Sequence, residues 1–97
     1  MEFRKASFLS GRVISDEGFE VLVRSGDTLE YREHGRKMSV TVDCGGNGIT
    51  VYAGTVSRWD DDPLKSIDEQ TRLRIVDNII RALRFQFEPR GHVDLRE

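Results

Sequence analysis

The stretch from Ile67 to Arg84 repeats apolar residues at spacings of three and four, and this pattern constrains the fold more than any other feature. At about 100° per residue, such a spacing gathers the apolar side chains into one stripe along a helix. The stripe consists of Leu73, Val76, Ile79, Ile80 and Leu83, with Ile75 and Ala82 at its margin. Ser66 stands three residues before Glu69, which predicts a capping box at the helix start. We therefore predict a helix from about Ile67 to about Arg84, with Asp77 and Arg81 ordered for a favourable i,i+4 ion pair.

The preceding part of the chain carries short segments in which apolar and polar residues alternate, the pattern of half-buried strands. His34-Gly35 stands between two such segments and predicts a two-residue hairpin loop. With that loop, the opposed apolar pairs are Tyr31 with Met38 and Leu29 with Val40, all on one face of the sheet. The Gly-rich residues 45–48 predict the next turn, for which several registers are open. Residues 1–18 keep no clean period and predict one or two short strands.

Neither the helix nor the strands can cover their own apolar surfaces, so the two need each other. We predict an α+β fold: an antiparallel sheet, mostly a meander of four or more strands, with one long C-terminal α-helix packed on one face. At 97 residues the chain is expected to form a single small domain, 1–97. Phe85 and Phe87 alternate with polar residues, so the end of the chain is interpreted either as a last short strand or as a packed tail.

Composition narrows the class of protein. The formal net charge is −2, with 15 basic and 17 acidic side chains, which argues against a dedicated nucleic-acid binder. No apolar run approaches the ~20 residues that span a bilayer, and the first residues lack the pattern of a signal peptide. Cys44 is alone, which fits a reducing compartment, and it is interpreted as a half-buried strand residue. We expect a cytoplasmic protein that does not enter membranes; the oligomeric state is left open.

The segment SRWDDDP, residues 57–63, is the densest group of chemically active side chains. Consecutive carboxylates at Asp60, Asp61 and Asp62 seldom converge on one metal ion, and calcium loops space their ligands at alternate positions. An exposed run also lacks the two different environments that paired acid–base carboxylates need. No Cys/His spacing matches a zinc site. We therefore expect no metal, no cofactor and no catalytic residue, and the enzyme interpretation, aspartates with a divalent metal, ranks third.

Two surfaces of opposite charge are candidates for binding. Residues 57–70 carry an excess of acidic side chains, and Trp59, Asp60, Asp61 and Asp62 are the tentative partner-binding residues. The competing interpretation is a solvated acidic loop, with Trp59 closing the core where the sheet ends. The alternative surface is a basic helix face, formed by Arg74, Arg81 and Arg84, that suits nucleic acid or a phosphate-bearing ligand.

The order of these features resembles the immunity protein 74 family of bacterial polymorphic toxin systems, over roughly residues 19–88. The positions that carry the resemblance are Tyr52, Trp59, Pro63, Ile67, Arg74, Ile75, Ile79 and Leu83. The resemblance implies a small α+β protein that neutralises a toxin, and it brings no catalytic motif. We expect a non-enzymatic protein-binding domain similar to an immunity protein that inhibits a cognate bacterial toxin. A nucleic-acid or phospholigand module is the alternative.

Overall fold

The structure, a computed structural model, describes residues 2–5, 12–87 and 91–97 of the chain. These residues form seven strands, a short 3-10 turn and one α-helix. The elements are β1 (Phe3–Lys5), β2 (Arg12–Ser15), β3 (Phe19–Val23), β4 (Thr28–Glu33), β5 (Arg36–Gly45), β6 (Gly48–Tyr52), the 3-10 turn (Ala53–Thr55), α1 (Glu69–Phe87) and β7 (His92–Arg96).

All seven strands lie in one sheet, in the order in which they occur along the chain. Strands β1 to β6 form an antiparallel meander, and β7, which follows the helix, pairs parallel to β6. The α+β class and the meander are therefore confirmed. Strands β1 and β2 are the short strands expected in residues 1–18; residues 6–11 of that stretch lie outside the described part.

The β4–β5 hairpin has the predicted register. Tyr31 lies opposite Met38 and Leu29 opposite Val40. The turn residues His34 and Gly35 have φ values of 51° and 78°, and positive φ at both positions is what a type I′ hairpin turn requires. The next hairpin takes the register that sets Val42 opposite Val51 and Cys44 opposite Ile49.

Helix α1 begins two residues later than predicted, and its cap differs. The Asp68 carboxylate, rather than Ser66, accepts a hydrogen bond from the backbone N–H of Thr71 at 2.7 Å. This bond lowers the pKa of Asp68, whose charge also suits the positive end of the helix dipole. Glu69 bonds Arg72, with 2.6 Å between Oε1 and Nη2. The predicted capping box is therefore wrong: Asp68 is the N-cap residue, and it caps the amide of Thr71 rather than that of Glu69.

The end of the helix also differs from the prediction. Phe85 and Phe87 lie in α1, and the last strand is β7, farther along the chain. Leu73 is 55% exposed, whereas Ile75 and Ala82 are fully covered, so the buried stripe is rotated toward the residues placed at its margin. Ile75, Ile79 and Leu83 belong to the same hydrophobic cluster as the inward-facing residues of β2 to β6. In the described part of the chain, no helix is long and apolar enough to cross a membrane.

Candidate functional site

Residues 57–67, here called the acidic loop, connect the 3-10 turn to α1 and close on themselves. The backbone N–H of Ile67 donates to the carbonyl of Ser57 at 2.9 Å, which joins the two ends of the loop. Inside it, the N–H of Asp62 donates to the carbonyl of Trp59 at 3.1 Å. The Arg58 guanidinium donates to the carbonyl of Pro63 at 3.0 Å. The acidic loop is therefore held by its own hydrogen bonds.

Trp59 anchors the acidic loop in the core. Its side chain is only 7% exposed and belongs to the hydrophobic cluster. The ring centroid lies 6.3 Å from that of Tyr31, and the Arg36 guanidinium covers the ring at 4.9 Å, within cation–π range. Trp59 is thus largely covered and packs in the core, where the competing interpretation of SRWDDDP places it.

Asp60 covers an edge of β5. Strand β6 pairs with only the last four residues of β5, which leaves the earlier backbone groups on that side without a strand partner. The Asp60 carboxylate accepts from the backbone N–H of Ser39 at 3.2 Å, and the Asp60 N–H donates to the carbonyl of Lys37 at 2.9 Å. The Thr55 hydroxyl accepts from the N–H of Thr41 at 2.9 Å. These bonds replace a neighbouring strand and protect an otherwise open edge.

The other two aspartates differ in their surroundings. Asp61, which is exposed, forms an ion pair with the half-buried Arg36, with 3.0 Å between Oδ1 and Nη2. Asp62 is half-buried and lines a cleft of about 270 Å³ between the acidic loop and the start of α1. Asp60 and Asp61 are therefore held against β5 rather than merely solvated.

Leu64, at the tip of the acidic loop, is the residue that the sequence reasoning missed. Its side chain is 98% exposed, the most exposed large apolar side chain among the described residues. It follows Pro63 directly, and its neighbours Asp61, Asp62 and Lys65 are charged. The sequence signal that could have identified it is a single leucine in an acidic segment, where no periodic apolar pattern assigns it to the core.

The three arginines of the predicted basic face do not form one open site. Both terminal nitrogens of Arg74 donate to the Glu33 carboxylate, with 2.9 Å between Nη2 and Oε2. Arg81 pairs with Asp77 at 3.0 Å, the i,i+4 pair that the sequence predicts. Arg84 is exposed near the end of α1. The charges of Arg74 and Arg81 are thus compensated within the chain.

Glu33 is the centre of a polar network that sequence reasoning did not identify. The Tyr31 hydroxyl donates to Glu33 at 2.7 Å and accepts from the Asn78 amide at 2.9 Å. Burial alone raises the pKa of Glu33, but the hydrogen bonds from Arg74 and Tyr31 outweigh it and hold the pKa below its usual value. Burial raises the pKa of Tyr31. The missed signal was the position of Glu33: it follows Leu29 and Tyr31 at a spacing of two residues, so it lies on the same buried face of β4.

Other chemically active side chains do not assemble. Within residues 2–5, 12–87 and 91–97, no three His, Cys, Asp or Glu side chains are grouped in a way that could hold a metal ion. Cys44 is half-buried, and burial raises the pKa of its thiol, which makes it a weaker nucleophile.

Comparisons of the chain with family models, with curated proteins and with solved structures found no match in any of the three.

Proposed function

We propose that the chain is a small, non-enzymatic protein-binding domain whose contact surface is the tip of the acidic loop. The observation that carries this proposal is Leu64, 98% exposed on a loop whose ends are joined by a hydrogen bond. A scattered exposed leucine is ordinary on a protein surface. A leucine on a preorganised loop is a better anchor, because the loop loses little conformational freedom when it binds.

The surroundings of Leu64 define the chemistry of the partner. Asp61 and Asp62 precede it, and Glu69 lies exposed at the start of α1. An apolar pocket bordered by lysines or arginines complements such a surface, since opposite charges steer association and set specificity. A basic substrate groove of a nuclease has this character. Buried Trp59 and edge-bound Asp60 then serve to position the tip, while Leu64, Asp61 and Asp62 make the contact.

The resemblance to the immunity protein 74 family gives the proposal a concrete form: the partner is a cognate bacterial toxin that the chain inhibits. A protein inhibitor works by occupying the toxin's site, so it needs a rigid complementary surface and no catalytic group of its own. The acidic loop supplies such a surface. The alternative, a nucleic-acid module built on α1, gains less support because Arg74 and Arg81 are paired with Glu33 and Asp77.

The test is co-expression of the chain with the product of the neighbouring gene, scored by relief of growth arrest. We expect relief by the wild-type chain and loss of relief by Leu64→Asp. Because Leu64 is almost fully exposed, its replacement should leave the thermal midpoint unchanged. Binding of the purified pair should weaken about 10-fold or more, as expected for a central anchor.

Leu73→Asp is the matched control, since Leu73 is also an exposed leucine and lies on α1 rather than on the acidic loop. It should relieve growth arrest like the wild type. If Leu64→Asp protects as well as Leu73→Asp, the loop tip is not the contact. If the wild-type chain relieves no arrest, the toxin-inhibitor proposal is abandoned.

A titration with nucleic acid at low salt separates the alternative. A protein-binding domain should give a flat titration. Salt-sensitive binding that weakens in Arg81→Met and Arg84→Met would instead favour the basic face of α1.

A further inference from the structure

The outer edge of β7 is a strand edge that is separate from the acidic loop. Strand β7 ends the sheet and pairs with β6 on one side; no described strand pairs with its other side. The N–H of His92 donates to the carbonyl of Asn47 at 2.9 Å, so His92 directs its backbone groups toward β6. Because these directions alternate along a strand, Val93 and Leu95 direct their N–H and C=O groups outward. An edge with such open groups is a template for another strand.

The side chains of β7 divide between the two faces of the sheet. Val93 and Leu95 lie beside Ile49 and Val51 on the core face, and Leu95 is 51% exposed. Asp94 and Arg96 lie on the opposite face and are exposed. Neither takes part in an ion pair within the described residues. The edge therefore presents one exposed apolar side chain, that of Leu95, on one face and two opposite, uncompensated charges on the other.

We propose that β7 pairs antiparallel with β7 of a second copy of the chain, with Leu95 opposite Leu95. In this register each Asp94 lies opposite Arg96 of the second copy. The two Leu95 residues form a hydrogen-bonded pair, since both direct their backbone groups outward. The two Asp94–Arg96 pairs occupy the non-hydrogen-bonded positions, where opposed side chains approach most closely.

The charges of the strand favour this register over the two adjacent ones. Two neighbouring registers also match outward-directed groups. One places Val93 opposite Leu95 and sets Asp94 against Asp94. The other places Leu95 opposite Glu97 and sets Arg96 against Arg96. Directly opposed like charges destabilise a strand pair. The sequence of β7 is therefore complementary to itself, which makes a second copy of the chain its partner. The pairing would join the sheets of both copies into one continuous sheet.

Charge exchange tests both the pairing and its register by sedimentation velocity, up to about 1 mM. The wild-type chain should form a dimer of twice the 11.1 kDa monomer mass. Asp94→Arg and Arg96→Asp should each weaken self-association roughly 10-fold or more, because each converts both attractive pairs into repulsive ones. An equimolar mixture of these two variants should dimerise, since every cross-strand pair is again of opposite charge. The double exchange Asp94→Arg with Arg96→Asp should also restore the homodimer.

Hydrogen exchange supplies the second readout. The amides of Val93 and Leu95 should exchange fast in dilute solution and slowly in the dimer, whereas the His92 amide should be protected in both. The proposal is overturned by a wild-type chain that stays monomeric over the whole range. It is also overturned if the single variants dimerise like the wild type, or if their mixture does not dimerise. A lowered thermal midpoint would identify a variant that fails to dimerise because it is unfolded. The mixture is a further control, because it can dimerise only if both variants are folded.

Discussion

The guanidinium of Arg74 on α1 lies against the carboxylate of Glu33 on β4, and Nη2 donates to Oε2 at 2.9 Å. Glu33 lies on the face of β4 that carries buried Leu29 and Tyr31. A buried carboxylate is stable only when it is paired and hydrogen-bonded. The contact therefore joins the helix to the sheet at the one point where that face of β4 carries a charge.

Replacing Arg74 by Met should lower the free energy of unfolding by about 1–3 kcal/mol, measured by urea denaturation. The reason is that Glu33 stays buried with only the Tyr31 hydroxyl as a donor. Arg81→Met is the control on the same helix: its pair with Asp77 is exposed, so its loss should cost less than about 0.5 kcal/mol. Equal losses in the two variants would show that the Glu33 pair stabilises no more than a surface pair.

The same pair predicts a pH dependence. The pKa of Glu33 is lower in the folded chain than in the unfolded chain, where it is near the usual 4.5. Its contribution is therefore present above that value and is lost as the pH falls through the lower folded pKa. In Arg74→Met, burial is left to raise the pKa of Glu33, so the loss of stability on acidification should be smaller. Urea midpoints measured from neutral pH to about pH 3 should converge for the two chains; curves that stay parallel would contradict this assignment.

The parts of the fold that sequence predicted are those with local causes. The β4–β5 register follows from the positive φ that His34-Gly35 must adopt and from the alternation of Leu29 and Tyr31 with polar residues. A shift of one residue would turn every apolar side chain to solvent, so the register has no close competitor. The helix was predicted for the same reason, since its period is visible within a few turns.

The parts that sequence did not predict depend on contacts between distant residues. Arg74 and Glu33 are 41 positions apart, and only the fold brings them together. Ser66 and Asp68 are both residue types that cap helices. Which of them takes the N-cap position depends on where the acidic loop ends and α1 begins. The sequence predicts Asp60 as a solvated charge. Its partner is the backbone N–H of Ser39, which is open to a side chain because β6 does not pair with that part of β5.

Asp60 should contribute to stability as a hydrogen-bond acceptor rather than as a charge. Asp60→Ala removes the acceptor for the Ser39 amide and should lower the free energy of unfolding by about 0.5–1.5 kcal/mol. Asp60→Asn keeps an oxygen in place and should stay within about 0.5 kcal/mol of the wild type. Asp61→Ala, which removes only the exposed pair with Arg36, should do the same. Hydrogen exchange at Ser39 should quicken in Asp60→Ala alone; a similar change in Asp60→Asn would show that the negative charge matters instead.

Gly48 should be required for the pairing of β7 with β6, because the two backbones approach closely there. A Cβ atom at position 48 would lie 2.2 Å from the carbonyl oxygen of His92, and a backbone atom cannot move aside as a side chain can. Gly48→Ala should therefore displace β7 and lower the free energy of unfolding by about 1–3 kcal/mol.

Gly45, directly opposite Gly48 in β5, is the matched control, since a Cβ there meets no atom within 4 Å. Gly45→Ala should leave stability unchanged or raise it by up to about 1 kcal/mol, because alanine reduces the freedom of the unfolded chain. The distinguishing measurement is hydrogen exchange at His92: its bond to Asn47 should open in Gly48→Ala and stay closed in Gly45→Ala. Because the proposed dimer needs an ordered β7, Gly48→Ala should also stay monomeric where the wild type dimerises. A Gly48→Ala chain with full protection at His92 would mean that the sheet absorbs the added methyl group without releasing β7.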